Sequence, residues 1–196
     1  RNASAYPFPI QFEIVKDVDI PRLVFEEDKS PCLQPIKTAA KNLEAIGCRA
    51  IAAECGYFAY FQKEIAAAVD VPVFMSSLLQ VPWAQQLIGP DRVVGLLAAL
   101  KPYLTDAHLE AVGVRLDSNY VVGGAIDDGR CVEFENLWIG DKRPEVPQAH
   151  YVKAEKEFVE VAAEFYHAHP NMGAMVLECT GFQVFARAVQ REIDIP

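Results

Sequence analysis

Apolar runs of strand length alternate along this chain with amphipathic stretches of helix length, the pattern of a parallel β-sheet with crossover helices. Residues 49–54, 71–75, 92–98 and 173–178 are largely apolar, as strands covered on both faces must be, and each reads as a strand. Shorter signals at 11–15 and 120–122 read as strands too. Between them, 34–46 places Ala39, Ala40, Leu43 and Ile46 on one helical face, and 57–69, 105–112, 151–169 and 181–191 also read as helices. Thr105 suits the N-cap of its helix and Gly113 the C-cap. Residues 78–88 read as helical despite Pro82, and 123–147 as irregular. Gly89-Pro90-Asp91 is the strongest punctuation, and divides the chain into a first α/β domain, 1–90, and a second, 91–196.

The two halves share a segment. At an offset of 124 residues the identities Ala50/Ala174, Glu54/Glu178, Cys55/Cys179, Phe58/Phe182, Phe61/Phe185, Asp70/Asp194 and Pro72/Pro196 fall in ungapped register. Seven matches in the 23 positions from 50 to 72 far exceed the roughly one or two that composition gives by chance. The repeat is a strand, a turn and a helix, with a cysteine at each turn. The expected fold is therefore α/β with two pseudo-symmetric domains, each a parallel sheet flanked by helices, and a site in the cleft between them.

Composition narrows the function. The 196 residues carry a net charge of −9, which argues against nucleic acid, because affinity for phosphate backbones rests on clustered Lys and Arg. No apolar run reaches the roughly 18 residues needed to span a bilayer, so no membrane partner is expected. Five cysteines without a CxxC pair suit a reducing, cytoplasmic setting and give no support to a zinc site. Cys32, Cys48 and Cys131 read as small buried hydrophobes, and His108, His150, His167 and His169 as surface residues. Gly123, Gly124 and Gly129 form no nucleotide-binding loop, and no cofactor is expected. Asn2-Ala3-Ser4 matches a glycosylation acceptor only formally. The start at Arg1 and the stop at Pro196, where a strand is due, suggest that elements at both ends are missing.

A residue leaving the C-terminal end of a parallel strand lies where ligands bind, and oriented N–H groups at the following turn favour a thiolate there. Two such edges facing across a cleft put a sulfur on either side of a substrate carbon. One thiolate can then remove a proton from one face while the opposing thiol delivers one to the other. Cys55 and Cys179 are the expected catalytic pair, for racemisation or epimerisation of a small carboxylate. Thiol addition to a double bond, as in cis-trans isomerisation, is the closest rival, and a silent metabolite-binding protein a further one. Glu54 and Glu178 read as strand-end residues that bond backbone or face solvent. Gly56 and Tyr57 offer backbone N–H groups and a phenol to an anion, and Ser76 and Ser77 leave the neighbouring strand where they can bond a carboxylate or cap a helix.

With Glu-Cys-Gly-Tyr at 54–57, Val-Val-Gly-Leu-Leu-Ala-Ala at 93–99 and Gly-Ala-Met-Val-Leu-Glu-Cys-Thr-Gly at 173–181, most of the chain resembles the aspartate/glutamate racemase superfamily, which includes hydantoin racemases, maleate isomerases and arylmalonate decarboxylases. The resemblance implies two α/β domains, no cofactor, and Cys55 and Cys179 as acid and base, with an arylmalonate-type decarboxylase, which works with one cysteine, as a further alternative. It also implies substrate contacts from Gly56, Tyr57, Ser76, Ser77, Thr180 and Gly181. Family members commonly carry Asn-Thr after the first cysteine where this chain has Gly56-Tyr57, and glutamate racemases often have His where it has Gly181. The family's first domain also ends with a final helix, which the resemblance implies is missing here. A small-molecule carboxylate is the expected partner, and a homodimer stays open.

Overall fold

The computed structural model describes residues 6–138 and 149–196, and is an α/β fold with two parallel sheets. The first sheet pairs β1 (Ile51–Ala52) with β2 (Val73–Phe74), Ile51 opposite Val73. The second has β3 (Val93–Ala98) at its centre, between β4 (Tyr120–Gly124) and β5 (Met172–Leu177). Val94 aligns with Tyr120 on one side and Ala174 on the other, and Leu97 with Gly123 and Leu177. Because β3 is flanked on both sides, Val94, Leu96, Leu97 and Ala98 are essentially inaccessible. The chain leaves β3 towards β4, then returns past β3 to β5, and open α/β sheets bind ligands at such a reversal, outside the carboxyl ends of the strands.

Helices fill the connections. α1 (Ser30–Ala45) precedes β1, α2 (Gln62–Ala66) joins β1 to β2, and α3 (Val81–Ile88) leads into β3. α4 (Asp106–Ala111) lies between β3 and β4, and α5 (Val132–Trp138) and α6 (Tyr151–His167) between β4 and β5. α7 (Ala186–Ile193) follows β5 and packs on α6. Among the described residues no helix is long and apolar enough to cross a membrane.

The repeat holds down to single hydrogen bonds. Ile51 N–H donates to the Pro72 carbonyl at 2.9 Å, and its mate Met175 N–H donates to Pro196 at 2.8 Å. Phe58 N–H closes the turn onto Cys55 at 3.1 Å, as Phe182 N–H does onto Cys179 at 2.9 Å. In both copies a 3₁₀ turn (Gly56–Phe61 or Gln183–Phe185) comes before the α-helix, where the sequence predicts one continuous helix.

Other expectations change. Residues 11–15 form no strand: Phe12 and Ile14 are exposed and meet no neighbouring strand to pair with. α1 begins at Ser30, not 34, since its first turn takes Pro31 without losing a bond and Pro35 is carried inside the helix. Pro82 likewise sits in the first turn of α3 and interrupts nothing. Residues 123–147 are not wholly irregular, because α5 lies within them; 139–147 and Asn2-Ala3-Ser4 fall outside the described residues.

Candidate functional site

Cys55 follows β1 in extended backbone (φ −142°, ψ 130°) and starts the 3₁₀ turn, while Cys179 leaves β5 two residues beyond Leu177. Aromatic packing fixes the second turn: Phe182 is fully buried, stacked on Phe158 with centroids 4.3 Å apart and against Phe134 at 4.6 Å. Phe61 and Phe185 are buried at equivalent places.

The two cysteine turns are stitched together. The Thr180 hydroxyl donates to the Glu54 carbonyl, and Ser77 Oγ, from the turn after β2, donates to the carbonyls of Leu177 at 2.8 Å and Glu178 at 3.2 Å. Tyr57 is buried, and its hydroxyl donates to the Leu100 carbonyl at 2.8 Å and accepts from Leu100 N–H at 3.0 Å. Ser76 caps its own turn, accepting from Leu78 N–H at 3.2 Å. Gly56 is buried beneath Glu178, and a side chain at Gly56 would overlap the Glu178 carboxyl. Gly181 is half-buried, and its N–H donates to the Cys179 sulfur. The structure thus brings Cys55, Gly56, Tyr57, Ser77, Cys179, Thr180 and Gly181 together, with the hydroxyls of Tyr57, Ser76, Ser77 and Thr180 bonded to backbone.

Sequence reasoning missed the importance of Glu178. Its side chain is 2 % exposed; Oε2 accepts from Ala99 N–H at 3.2 Å, and Oε1 has no partner. Burial pushes this carboxyl up to about 7, opposed by the Ala99 bond. Burial also pushes the Cys179 thiol well above its ordinary range; the nearby Glu178 and Cys55 add to this, and the Gly181 N–H works against it. Tyr57 is raised chiefly by burial and then by Glu178, so its phenol stays protonated. A signal was present in the repeat: Gly56 has lost the side chain that its mate Thr180 keeps.

Two expectations about isolated residues need sorting. His108 is not a surface residue; it is fully buried against the rings of Tyr57 and Tyr60, and Nδ1 accepts from Thr105 N–H at 3.2 Å. Burial, with Lys29 second, lowers it to about 4, so it is neutral. Cys32 and Cys131 are buried as expected, whereas Cys48 is half-buried.

No protein-family profile matches the chain. It is 28 % identical over 206 residues to a dimethylsulfoniopropionate lyase of Durusdinium sp. clade D, matching all of this chain and 64 % of that protein. It is 31 % identical over 165 residues to dimethylsulfoniopropionate lyase 7 of Emiliania huxleyi (strain CCMP1516), over 81 % of this chain and 46 % of that one. The chain therefore spans only about half to two thirds of the length of these relatives. Among solved structures, a glycine-to-cysteine variant of arylmalonate decarboxylase with sulfate bound superposes with a TM-score of 0.53 at 16 % identity, over 93 % of this chain and 81 % of that one. Aspartate racemase of Picrophilus torridus superposes at 0.51 with 20 % identity, over 91 % and 68 %. The chain has the α/β fold of arylmalonate decarboxylase and aspartate racemase.

Proposed function

We propose that this chain is a cofactor-independent enzyme that removes the α-proton of a small carboxylate with a cysteine thiolate, and that its substrate carries a β-sulfonium group, as dimethylsulfoniopropionate does. Loss of the α-proton to the thiolate forms the Cα–Cβ double bond as the Cβ–S bond breaks. The electron pair of that bond leaves on sulfur, giving dimethyl sulfide, acrylate and a protonated thiol, which returns its proton to solvent. Supporting the reading most is the pair of thiols at equivalent strand ends, on two turns joined by the Thr180 and Ser77 hydroxyls, in a chain whose sequence relatives are lyases of that substrate.

The roles follow from the electrostatics. Cys179, held in the thiol form chiefly by burial, suits hydrogen-bond donation to the developing enolate, and Cys55 takes the base. Gly56, Tyr57, Ser76, Ser77, Thr180 and Gly181 act mainly by setting the two turns, through the bonds that fix them. A second reading, racemisation or epimerisation, is favoured by the equivalence of the two turns, since the opposing thiol could reprotonate the carbanion when no β-leaving group is present.

The test is headspace detection of dimethyl sulfide, with proton NMR of acrylate, on mixing the protein with dimethylsulfoniopropionate. The same NMR run in heavy water with amino acids, hydantoins and 2-substituted dicarboxylates reads α-hydrogen exchange. We expect sulfide release that falls by about 10²-fold or more in Cys55→Ser, in line with loss of a general base. Exchange without sulfide would move the assignment to a racemase, and neither product would overturn both readings.

A further inference from the structure

Glu178 is the buried acid of the site that neither turn chemistry nor the duplicated pattern requires. Three observations set it apart. Its Oε1 is shielded from solvent with no partner, while Oε2 spends its bond on Ala99 N–H. It occupies the volume vacated at Gly56, the residue joined to Cys55, and it directly precedes Cys179 in sequence. Its mate in the repeat, Glu54, is only half-buried, so the enclosure belongs to the second copy alone.

We propose that Glu178 is a positioning residue that sets the charge of the cysteine pair: as a neutral acid packed against Gly56 it lets one thiol ionise, and on losing its proton it locks Cys179 as a thiol. The proposal rests on the thiol pair being the reactive centre. Its physical basis is that four acids, Glu178, Cys179, Cys55 and Tyr57, share one poorly solvated site. Tyr57 faces Glu178 from the first turn and Cys179 from its own, Cys55 stands beside Cys179 and Tyr57, and the end of β3 supplies the N–H of Ala99. No cation among the described residues is bonded to the carboxyl. One negative charge can be accommodated by oriented N–H groups; a second raises the proton affinity of the remaining groups. Burial holds Glu178 protonated into the neutral range, which leaves the single charge to a thiol. Proton balance is simple: Glu178 keeps its proton during turnover and releases it to solvent only as the pH rises.

The experiment compares wild type with Glu178→Gln, which keeps the shape of a neutral acid and cannot ionise. Iodoacetamide is the probe, with peptide mass mapping to separate Cys55 from Cys179 and circular dichroism to confirm the fold. We expect alkylation of Cys179 above pH 8 to be roughly tenfold faster in Glu178→Gln, because the carboxylate that opposes its thiolate is gone. Matching rate profiles for the two folded proteins would overturn the proposal. Should the variant fail to fold, an infrared pH titration of wild type decides. A protonated-carboxyl carbonyl band persisting above pH 6 supports the assignment, and its absence there overturns it. Neither readout involves a substrate, so a negative result here leaves the lyase reading standing, and absence of sulfide release leaves the thiol result intact.

Discussion

Glu54 and Glu178 are identical in sequence and equivalent in the repeat, yet one is half-buried and the other is closed off behind Gly56. The difference comes from the neighbour: Thr180 uses its side chain to bond the Glu54 carbonyl, while Gly56 makes room for the Glu178 carboxyl. Gly56→Ala therefore forces the buried acid to move. It should cost about 1–3 kcal/mol in urea unfolding, the usual range for overpacking a filled site. Ala at an exposed glycine such as Gly47 tests a different effect, positive-φ strain, because a Cβ there meets nothing within 4 Å.

At the scale of elements, the site is held by bonds from side chains to the ends of strands. The Tyr57 hydroxyl closes a two-way clasp on Leu100, just beyond β3. Tyr57→Phe leaves that N–H and carbonyl without their partner and should destabilise the protein by about 1–3 kcal/mol. Differential scanning calorimetry reads the loss, and hydrogen exchange at Leu100 should rise with it. How much of this was legible in the sequence depended on distance along the chain. The parallel strands, the capping Thr105 and the two strand-end cysteines all follow from local patterns. The 3₁₀ geometry after each cysteine did not, because an amphipathic run reads the same for a tight turn and a regular helix. Residues 11–15 alternate like a strand but lack a partner, which no local pattern reveals. His108 looked exposed from its polarity, although a capping bond with Thr105 and two aromatic edges give it a place in the core.

For the whole molecule, two buried titratable groups act in opposite directions. His108 is lowered from 6.5 to about 4, so the unfolded chain binds its proton first, and stability is gained as pH rises through that interval. Glu178 is raised from 4.5 to about 7, so the folded chain holds its proton longer, and stability is lost as pH rises through nearly the same interval. Each effect is on the order of 3 kcal/mol, so they should largely cancel. Wild type is expected to show a nearly flat midpoint in denaturant between pH 4.5 and 6.5. His108→Gln, which keeps a capping-box side chain, should lose stability as pH rises in that window, whereas Glu178→Gln should gain it. Parallel slopes in the two variants would refute the cancellation.

The matched bonds from Ile51 to Pro72 and from Met175 to Pro196 mean that a molecule held between the two turns sees nearly the same backbone on its left and its right. A methylene carbon has two enantiotopic hydrogens, and such a frame alone cannot choose between them. The choice falls to the places where the copies differ, Gly56 against Thr180 and the open Glu54 against the enclosed Glu178. Under the proposed lyase reading, dimethylsulfoniopropionate carrying deuterium at one α-position should accordingly lose its label from a single prochiral face, and Gly56→Ala, which displaces the Glu178 carboxyl, should weaken that preference while both sulfurs stay in place.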